Sequence, residues 1–340
     1  MEGLPRHPDR AACTRRGGVN VRVTVVGRLD TETLIEWNGA LRASCVEDRV
    51  GVWWPSDETV LAQFADPLPG RRRWALVHRA EDGSLAGAAD VSAGPGEPAE
   101  VTIGVLPAHR RRGIGTVLWE AARELLADEA PSVVQSETWS QAGVAFAECC
   151  GLAVGNSELR MLRSAVAPAP DRHAAADVEI VTWTGAVPDD LMHDWVRLNT
   201  RMREDVPIGE LTRRVTSLDA EWVRAHEKRM TDQGWILVRA MARLAGEGVG
   251  YTVLFVAADG DEIVVQDDTF VERAHRGRGI AGLLKSENLR QLSALPASAA
   301  ARWVQTTTAV DNHPMLALNR AIGFEVADRS YALEGRFAVS

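Results

Sequence analysis

Two short stretches of this chain nearly repeat each other. Residues 108–115 read AHRRRGIG and residues 274–281 read AHRGRGIA. Each follows a β-branched run and opens an apolar run with helical spacing, so each is a turn from strand to helix. With Gly113 set on Gly279, Val105 meets Val271, Arg110 meets Arg276, Arg112 meets Arg278 and Leu118 meets Leu284. Further on, VVQSET (133–138) matches WVQTTT (303–308), and Gly151 matches Gly323. Solenoids and propellers repeat every ~20–50 residues. A repeat as long as this one is a duplicated domain.

The 340 residues suffice for two ordinary domains. AVAPAPDRHAAAD, at 165–177, is rich in Ala and Pro without periodicity and reads as a linker. The expected division is a flexible tail over 1–19, one domain over 20–164, the linker over 165–177 and a second domain over 178–340. Hydrophobic residues at 46% and charged residues at 25% are the balance of a soluble globular protein. No apolar run is long enough for a bilayer, so no membrane partner is expected. The first twenty residues lack the apolar core of a secretory signal. Cys13, Cys45, Cys149 and Cys150 show neither zinc spacing nor a disulfide framework, which points to a reducing cytoplasm. Cys149 and Cys150 read as packing residues at a helix end. Histidines lack H-E-x-x-H spacing, so no metal is expected. A net charge of −9 disfavours nucleic acid despite the arginine clusters.

Both halves read in the same order: strand, helix, three strands, basic turn, long helix, strand, helix, strand. In the first half the strands are VRVTVVGRL (21–29), RWALVHRA, SLAGAADVSA, EVTIGVLP and SVVQSETW. The helices are 31–44, 113–130 and QAGVAFAECC, the last closed by Gly151. The second half adds an extra helix, SLDAEWVRAHEKRMTDQ, before its three strands. The fold class is therefore α/β (α+β), two tandem domains, each a mixed, mostly antiparallel sheet flanked by helices.

The turn suits an anion. The first N–H groups of a helix have no partner within it, and the helix dipole favours negative charge there. Gly113 and Gly115 allow close approach of a ligand to the backbone. Arg110, Arg111 and Arg112 add positive charge, as do Arg276 and Arg278 in the second copy, where Gly277 replaces the middle arginine. A phosphate or pyrophosphate is the expected guest. The Walker pattern is absent, and hairpin-length links before the turn argue against a nicotinamide fold.

This order of elements, with Arg-x-x-Gly-x-Gly/Ala at the strand–helix junction, resembles the GNAT superfamily of N-acetyltransferases. Arg110, Gly113 and Gly115 occupy that family's pyrophosphate loop in the first half. Arg276, Gly279 and Ala281 do so in the second. DNHPMLALNRAIGFEV (311–326) resembles its closing segment, an Asn-led helix from Asn312 ending in Gly323-Phe324. Tandem members occur among actinobacterial acyltransferases, in mycothiol synthesis and antibiotic clusters. The resemblance implies acetyl-CoA, or another short acyl-CoA, as the donor, with a small-molecule amine as the acceptor and the protein a monomer or homodimer. The fourth and fifth strands of each half would splay into a cleft. Backbone groups at Val105 and Val271 would pair with the pantetheine arm. Amides of Arg110 to Thr116, including Ile114, and of Arg276 to Gly282, including Ile280, would hold the pyrophosphate. Asn312 would assist.

The resemblance also implies direct attack by a neutral amine, which needs a proton acceptor. Asp267 and Asp268, just before Val271, are the candidates. Alternation along a strand lets one enter the cleft while the other faces away, and Asp268 is the one favoured. Glu100 in the first half reads as a solvated strand start. The family often places a Tyr four residues before the closing Gly. Here that position is Asn319 in the second half and Ala147 in the first. Asn319 could hydrogen-bond the sulfur. The expected arrangement is a catalytic second half and a first half that binds acetyl-CoA structurally. The alternatives are a silent acetyl-CoA sensor, or transfer to a hydroxyl or thiol. Trp53 and Trp54 lie where the acceptor site is usually built, with packing as their simpler role.

Overall fold

A computed structural model describes residues 23–68, 70–173, 177–206, 208–213 and 218–337. The tail expected over 1–19 and part of the 165–177 segment lie outside the described residues. The first half contains β1 (Val23–Val25), α1 (Thr31–Cys45), α2 (Asp57–Ala65), β2 (Arg72–Arg79), β3 (Leu85–Ala93) and β4 (Ala99–Val105). It continues with α3 (Ile114–Ala127), β5 (Val133–Thr138), α4 (Gln141–Cys149) and β6 (Ala153–Ser164). The second half contains β7 (Val178–Thr184), α5 (Met192–Asp205), α6 (Ala220–Asp232), β8 (Trp235–Leu244), β9 (Glu247–Ala257) and β10 (Ile263–Val271). It ends with α7 (Ile280–Ala294), β11 (Trp303–Ala309), α8 (His313–Ala321) and β12 (Glu325–Arg336). The two orders match element for element. Helix α2 was not expected from the sequence. It is short, starts from Ser56, whose hydroxyl accepts from Thr59 N–H, and buries only Val60 and Phe64.

The two sheets are one. Twelve strands run in the order β1-β2-β3-β4-β5-β12-β6-β11-β10-β9-β8-β7. The last strand of each half crosses to the other. β12 pairs antiparallel with β5, and β6 pairs antiparallel with β11 over Trp303–Ala309. β6 and β12 also pair with each other at the centre. Each half therefore needs its partner's last strand to continue its sheet beyond the fifth strand. An ion cluster locks this seam. Arg160 of β6 is 2% exposed and binds Asp328 of β12 at 2.6 Å, and Arg49 from the loop after α1 binds the same carboxylate at 2.9 Å. Burial opposes ionisation of Asp328, but the hydrogen bonds from Arg160 and Arg49 hold its carboxyl below the usual range.

Helices cover both faces. In the first half α1 and α2 pack on one core through Leu34, Trp37 and Phe64, and α3 and α4 on another through Leu118, Leu126 and Val144. In the second half α5 and α6 bury Trp195, Leu198 and Val223 against Tyr251 and Met241. α7 and α8 bury Leu289, Leu292 and Leu316 against Val264, Val304 and Met161. Met161 belongs to the exchanged strand β6, so the second core is partly made of first-half sequence. Cys150 packs against the α3–α4 core as expected, but Cys149 is exposed, because the two neighbours at the end of α4 face different ways.

Candidate active site

The two basic turns have the same backbone. Gly113 (φ 84°) and Gly279 (φ 79°) are the N-cap residues of α3 and α7, in the left-handed region. Arg111 (φ 63°) and Gly277 (φ 79°) share a second left-handed position, so the first copy holds an arginine where glycine is easier. Neither α3 nor α7 has a side-chain cap; α5, which continues a 3-10 turn, also lacks one, whereas α1, α2, α4, α6 and α8 are capped by Asp30, Ser56, Ser140, Asp219 and Asn312. A Cβ on Gly113 would meet nothing within 4 Å. Open first-turn amides and free space before them fit a pyrophosphate.

The turn arginines divide into two groups. Arg110 Nε donates to Val105 O at 3.0 Å and its guanidinium pairs with Glu47 at 2.6 Å. Arg276 Nε donates to Val271 O at 2.9 Å and its guanidinium pairs with Asp205. Arg278 pairs with Asp177 at 2.7 Å. These three pin the turns to the protein. Arg111 and Arg112 are exposed, so the first turn presents more uncommitted charge than the second. The carbonyls of Val105 and Val271 each accept from an arginine of the turn. By strand alternation the Val271 N–H and both groups of Thr269 lie on the outer edge of β10.

The second half opens a cleft. β10 and β11 pair in parallel only at Ile263–Val265 against Trp303–Gln305, then separate. The gap, of about 220 Å³, is lined by Asp267, Asp268 and Thr269 of β10, Thr306–Ala309 of β11, Lys285 of α7, and Asn312 and Met315 of α8. Met202 of α5 and Val206 beyond it close one side, and Glu158 arrives on the exchanged strand β6. Both carboxylates line the cleft. That corrects the expected alternation, and the reason is a bulge. Gln266 pairs with Leu254 but Thr269 pairs with Thr252, so β10 carries one extra residue against β9. Buried Gln266 supports the bulge by donating from Nε2 to Val253 O at 2.8 Å and to Asp267 O at 3.2 Å. Thr252 Oγ1 donates to Asp268 O at 3.1 Å.

The electrostatics of the pair are unusual. Desolvation against the cleft walls, and then the Asp268 carboxylate, raise the Asp267 carboxyl toward about 7, and because the residue is solvent-exposed by surface area, water screens both effects. Burial also raises Asp268. Its hydrogen bond from Tyr251 at 3.2 Å and the charges of Arg203 and Arg213 work against that. Burial raises Glu158 too, opposed by its hydrogen bond with Thr307.

Asn319 is not at the cleft surface. It is 0% exposed, its Oδ1 accepts from Lys285 Nζ at 2.8 Å, and its Nδ2 donates to Thr308 at 3.0 Å. The side chain is fully engaged, so Lys285, not Asn319, is the polar group offered to the cleft. Asn312 caps α8 by accepting from Met315 N at 3.3 Å. Sequence reasoning missed Lys285 and Glu158. A signal for Lys285 existed: it shares the inward stripe of α7 with Leu289 and Leu292. Trp54 packs against the α1–α2 core, and Trp53 reaches across to Trp235 in a tilted ring contact at 5.4 Å, so neither lines the cleft.

The first half lacks this equipment. β4 pairs with β3 without interruption from Val105 to Glu100. With no bulge, β4 offers Val101, Thr102 and Ile103 where β10 has its acidic pair, and Trp119 stands where α7 has Lys285. Glu100 pairs with Gln135 at the parallel end of the strand and binds Arg71 at 3.1 Å.

An uncapped helix after a basic glycine turn, beside a cleft with a carboxylate pair, is the outline of an acyl transfer site. Comparison with known proteins agrees. Residues 43–152 match the model of the acetyltransferase (GNAT) family. The chain belongs to the GNAT acetyltransferases and is an acetyltransferase enzyme. It is 31% identical over 262 residues to the mycothiol acetyltransferase of Clavibacter sepedonicus, covering 74% of this chain and 77% of that one. It is 28% identical over 314 residues to the mycothiol acetyltransferase of Thermobifida fusca, covering 84% and 89%. The fold matches a tandem GNAT protein from the clavulanic acid biosynthesis pathway with a TM-score of 0.77, at 24% identity over 94% of this chain and 100% of the other. Among the described residues no helix is long and apolar enough to cross a membrane, and no cluster of His, Cys, Asp or Glu could hold a metal.

Proposed function

We propose that this acetyltransferase moves an acetyl group, or another short acyl group, from its CoA thioester to the amine of a small molecule in the cleft of the second half. The carrying observation is the β10 bulge, which sets Asp267 and Asp268 together between β10 and β11, on the strand that leads into the uncapped α7. A carboxyl raised to about 7 is matched to taking a proton from an ammonium near neutral pH. The Asp267/Asp268 pair deprotonates the amine, Asp268 being oriented by Tyr251. The amine then attacks the thioester carbonyl directly. Val271 N–H and the Thr269 backbone pair with the pantetheine arm. The amides from Gly279 to Gly282, through Ile280 and Ala281, hold the pyrophosphate. Cleft acids Glu158, Asp267 and Asp268 favour a cationic acceptor over a hydroxyl or thiol. The relatives named as mycothiol acetyltransferases, and the neighbour from an antibiotic pathway, support a polar metabolite as that acceptor.

The chain divides functionally as 20–164 and 178–340 about the 165–177 segment, in the cytoplasm. The first unit binds acetyl-CoA at Gly113 to Thr116, with Arg111 and Arg112 adding charge, and serves structure. It supplies β6, and with it Glu158, to the catalytic cleft. The test is mass spectrometry of ligand released from purified protein after saturation with acetyl-CoA. Two equivalents per chain are expected. A chain that binds none overturns the reading.

A further inference from the structure

Transfer of an acyl group from a thioester expels a thiolate, which needs a proton or a counter-charge. We propose that Lys285 is the proton donor to the departing coenzyme A sulfur in the second-half cleft. The proposal rests on the functional reading above. It answers what replaces the hydroxyl missing from the closing helix.

Three observations carry it. First, among the described residues lining the cleft, Lys285 is the one cation; the rest are carboxylates, threonines, amides and apolar groups. Ionised carboxylates disfavour a developing thiolate, so a counter-charge has to come from a cation. Second, Lys285 is placed by Asn319, the residue four before Gly323. Nζ donates to Asn319 Oδ1 at 2.8 Å and lies 5.6 Å from the Phe324 ring centroid. Asn319 thus holds an ammonium at the place where the resemblance leads one to expect a tyrosine. Third, Lys285 is 2% exposed, and the partner of its Nζ is a neutral amide oxygen, not a carboxylate. An unpaired buried ammonium gains strongly from an anion arriving in its cleft. Burial alone lowers it to about 7, so it yields a proton readily near neutrality. Asn319 from α8 backs it from behind, and the groups facing the cleft around it are Thr306 and Thr308 from β11, Asp267 and Asp268 from β10, and Glu158 from β6.

The step balances. The amine nitrogen forms its bond to the acyl carbon, and the C–S bond breaks with its electron pair on sulfur. The Lys285 Nζ proton passes to that sulfur, giving the free thiol. The ammonium acceptor loses two protons: the first, taken by the Asp267/Asp268 pair before attack, leaves to solvent, and the second, shed by the nitrogen once it is bonded to the acyl carbon, passes to the pair and returns through cleft water to Lys285.

The test uses coenzyme A and needs no acceptor. The full chain carries Gly113→Val, so that only the second site binds. The ultraviolet absorbance of bound thiolate is followed against pH, with and without Lys285→Met. Methionine is apolar and of similar length, so the variant is expected to fold. With Lys285 present, thiolate and ammonium hold each other ionised, so the thiolate absorbance is expected to appear about 1–3 pH units lower than in the variant. Acetyl-CoA affinity is expected to stay within a few-fold. Coincident thiol titrations overturn the lysine assignment. Failure of the functional reading looks different: coenzyme A binding unchanged by adding Gly279→Val would remove the site itself.

Discussion

Replacing Asp267 and Asp268 together with asparagine is expected to lower turnover by about 10²–10⁴-fold, the usual worth of a positioned base, with acetyl-CoA affinity changed by no more than a few-fold. The substitution is nearly isosteric and keeps the hydrogen bond from Tyr251 to residue 268 possible, so the bulge should persist. The pH dependence carries the sharper signature. The base acts when ionised, and Asp267 is raised to about 7. The acid limb of turnover in the unaltered enzyme should therefore lie near neutrality, not in the ordinary carboxylate range near pH 4, and loss of the Lys285 proton turns the profile down on the alkaline side. Steady-state kinetics from pH 5 to 9 would check this. A double variant with near-normal rates would place the base elsewhere.

Lys285→Met is expected to make the folded chain more stable, by roughly 2–4 kcal/mol at pH 6 once the orphaned Asn319 oxygen is set against the relieved charge. The sign follows from the direction of the shift. Burial depresses the ammonium from 10.5 to about 7, so the unfolded chain binds this proton more tightly. The cost is full below pH 7, shrinks as pH rises, and is gone above the unfolded value of about 10.4. The gain on substitution should therefore be smaller at pH 9 than at pH 6. Urea midpoints at the two pH values measure it. Equal gains at both would mean that no buried ammonium is being relieved. A residue that costs stability and lines the cleft is what a stability–activity compromise predicts.

Much of this architecture was legible in the sequence. The doubled turn fixed two strand–helix junctions, and the shared order around them gave the tandem fold. The strand exchange was not legible. β6 and β12 occupy equivalent places in the two halves, and no local pattern says which copy pairs with β5 or with β11. The cleft was legible in composition but not in geometry. Period-two reasoning sends Asp267 and Asp268 to opposite faces, and one extra residue in β10, held by Gln266 and Thr252, undoes it. Asn319 was visible as a departure at the tyrosine position. Its engagement with Lys285 depends on two helices meeting, which spacing along either one does not reveal.

The central claim is that transfer occurs in the second half and uses its own turn. The most direct measurement compares amine acetylation by two single variants, Gly113→Val and Gly279→Val, at saturating acetyl-CoA. Each places a β-branched side chain at a left-handed N-cap and obstructs the amides of one helix only. The account predicts transfer retained in Gly113→Val and lost in Gly279→Val. Transfer retained in Gly279→Val and lost in Gly113→Val, with both proteins folded, would contradict it and move the chemistry to the first half.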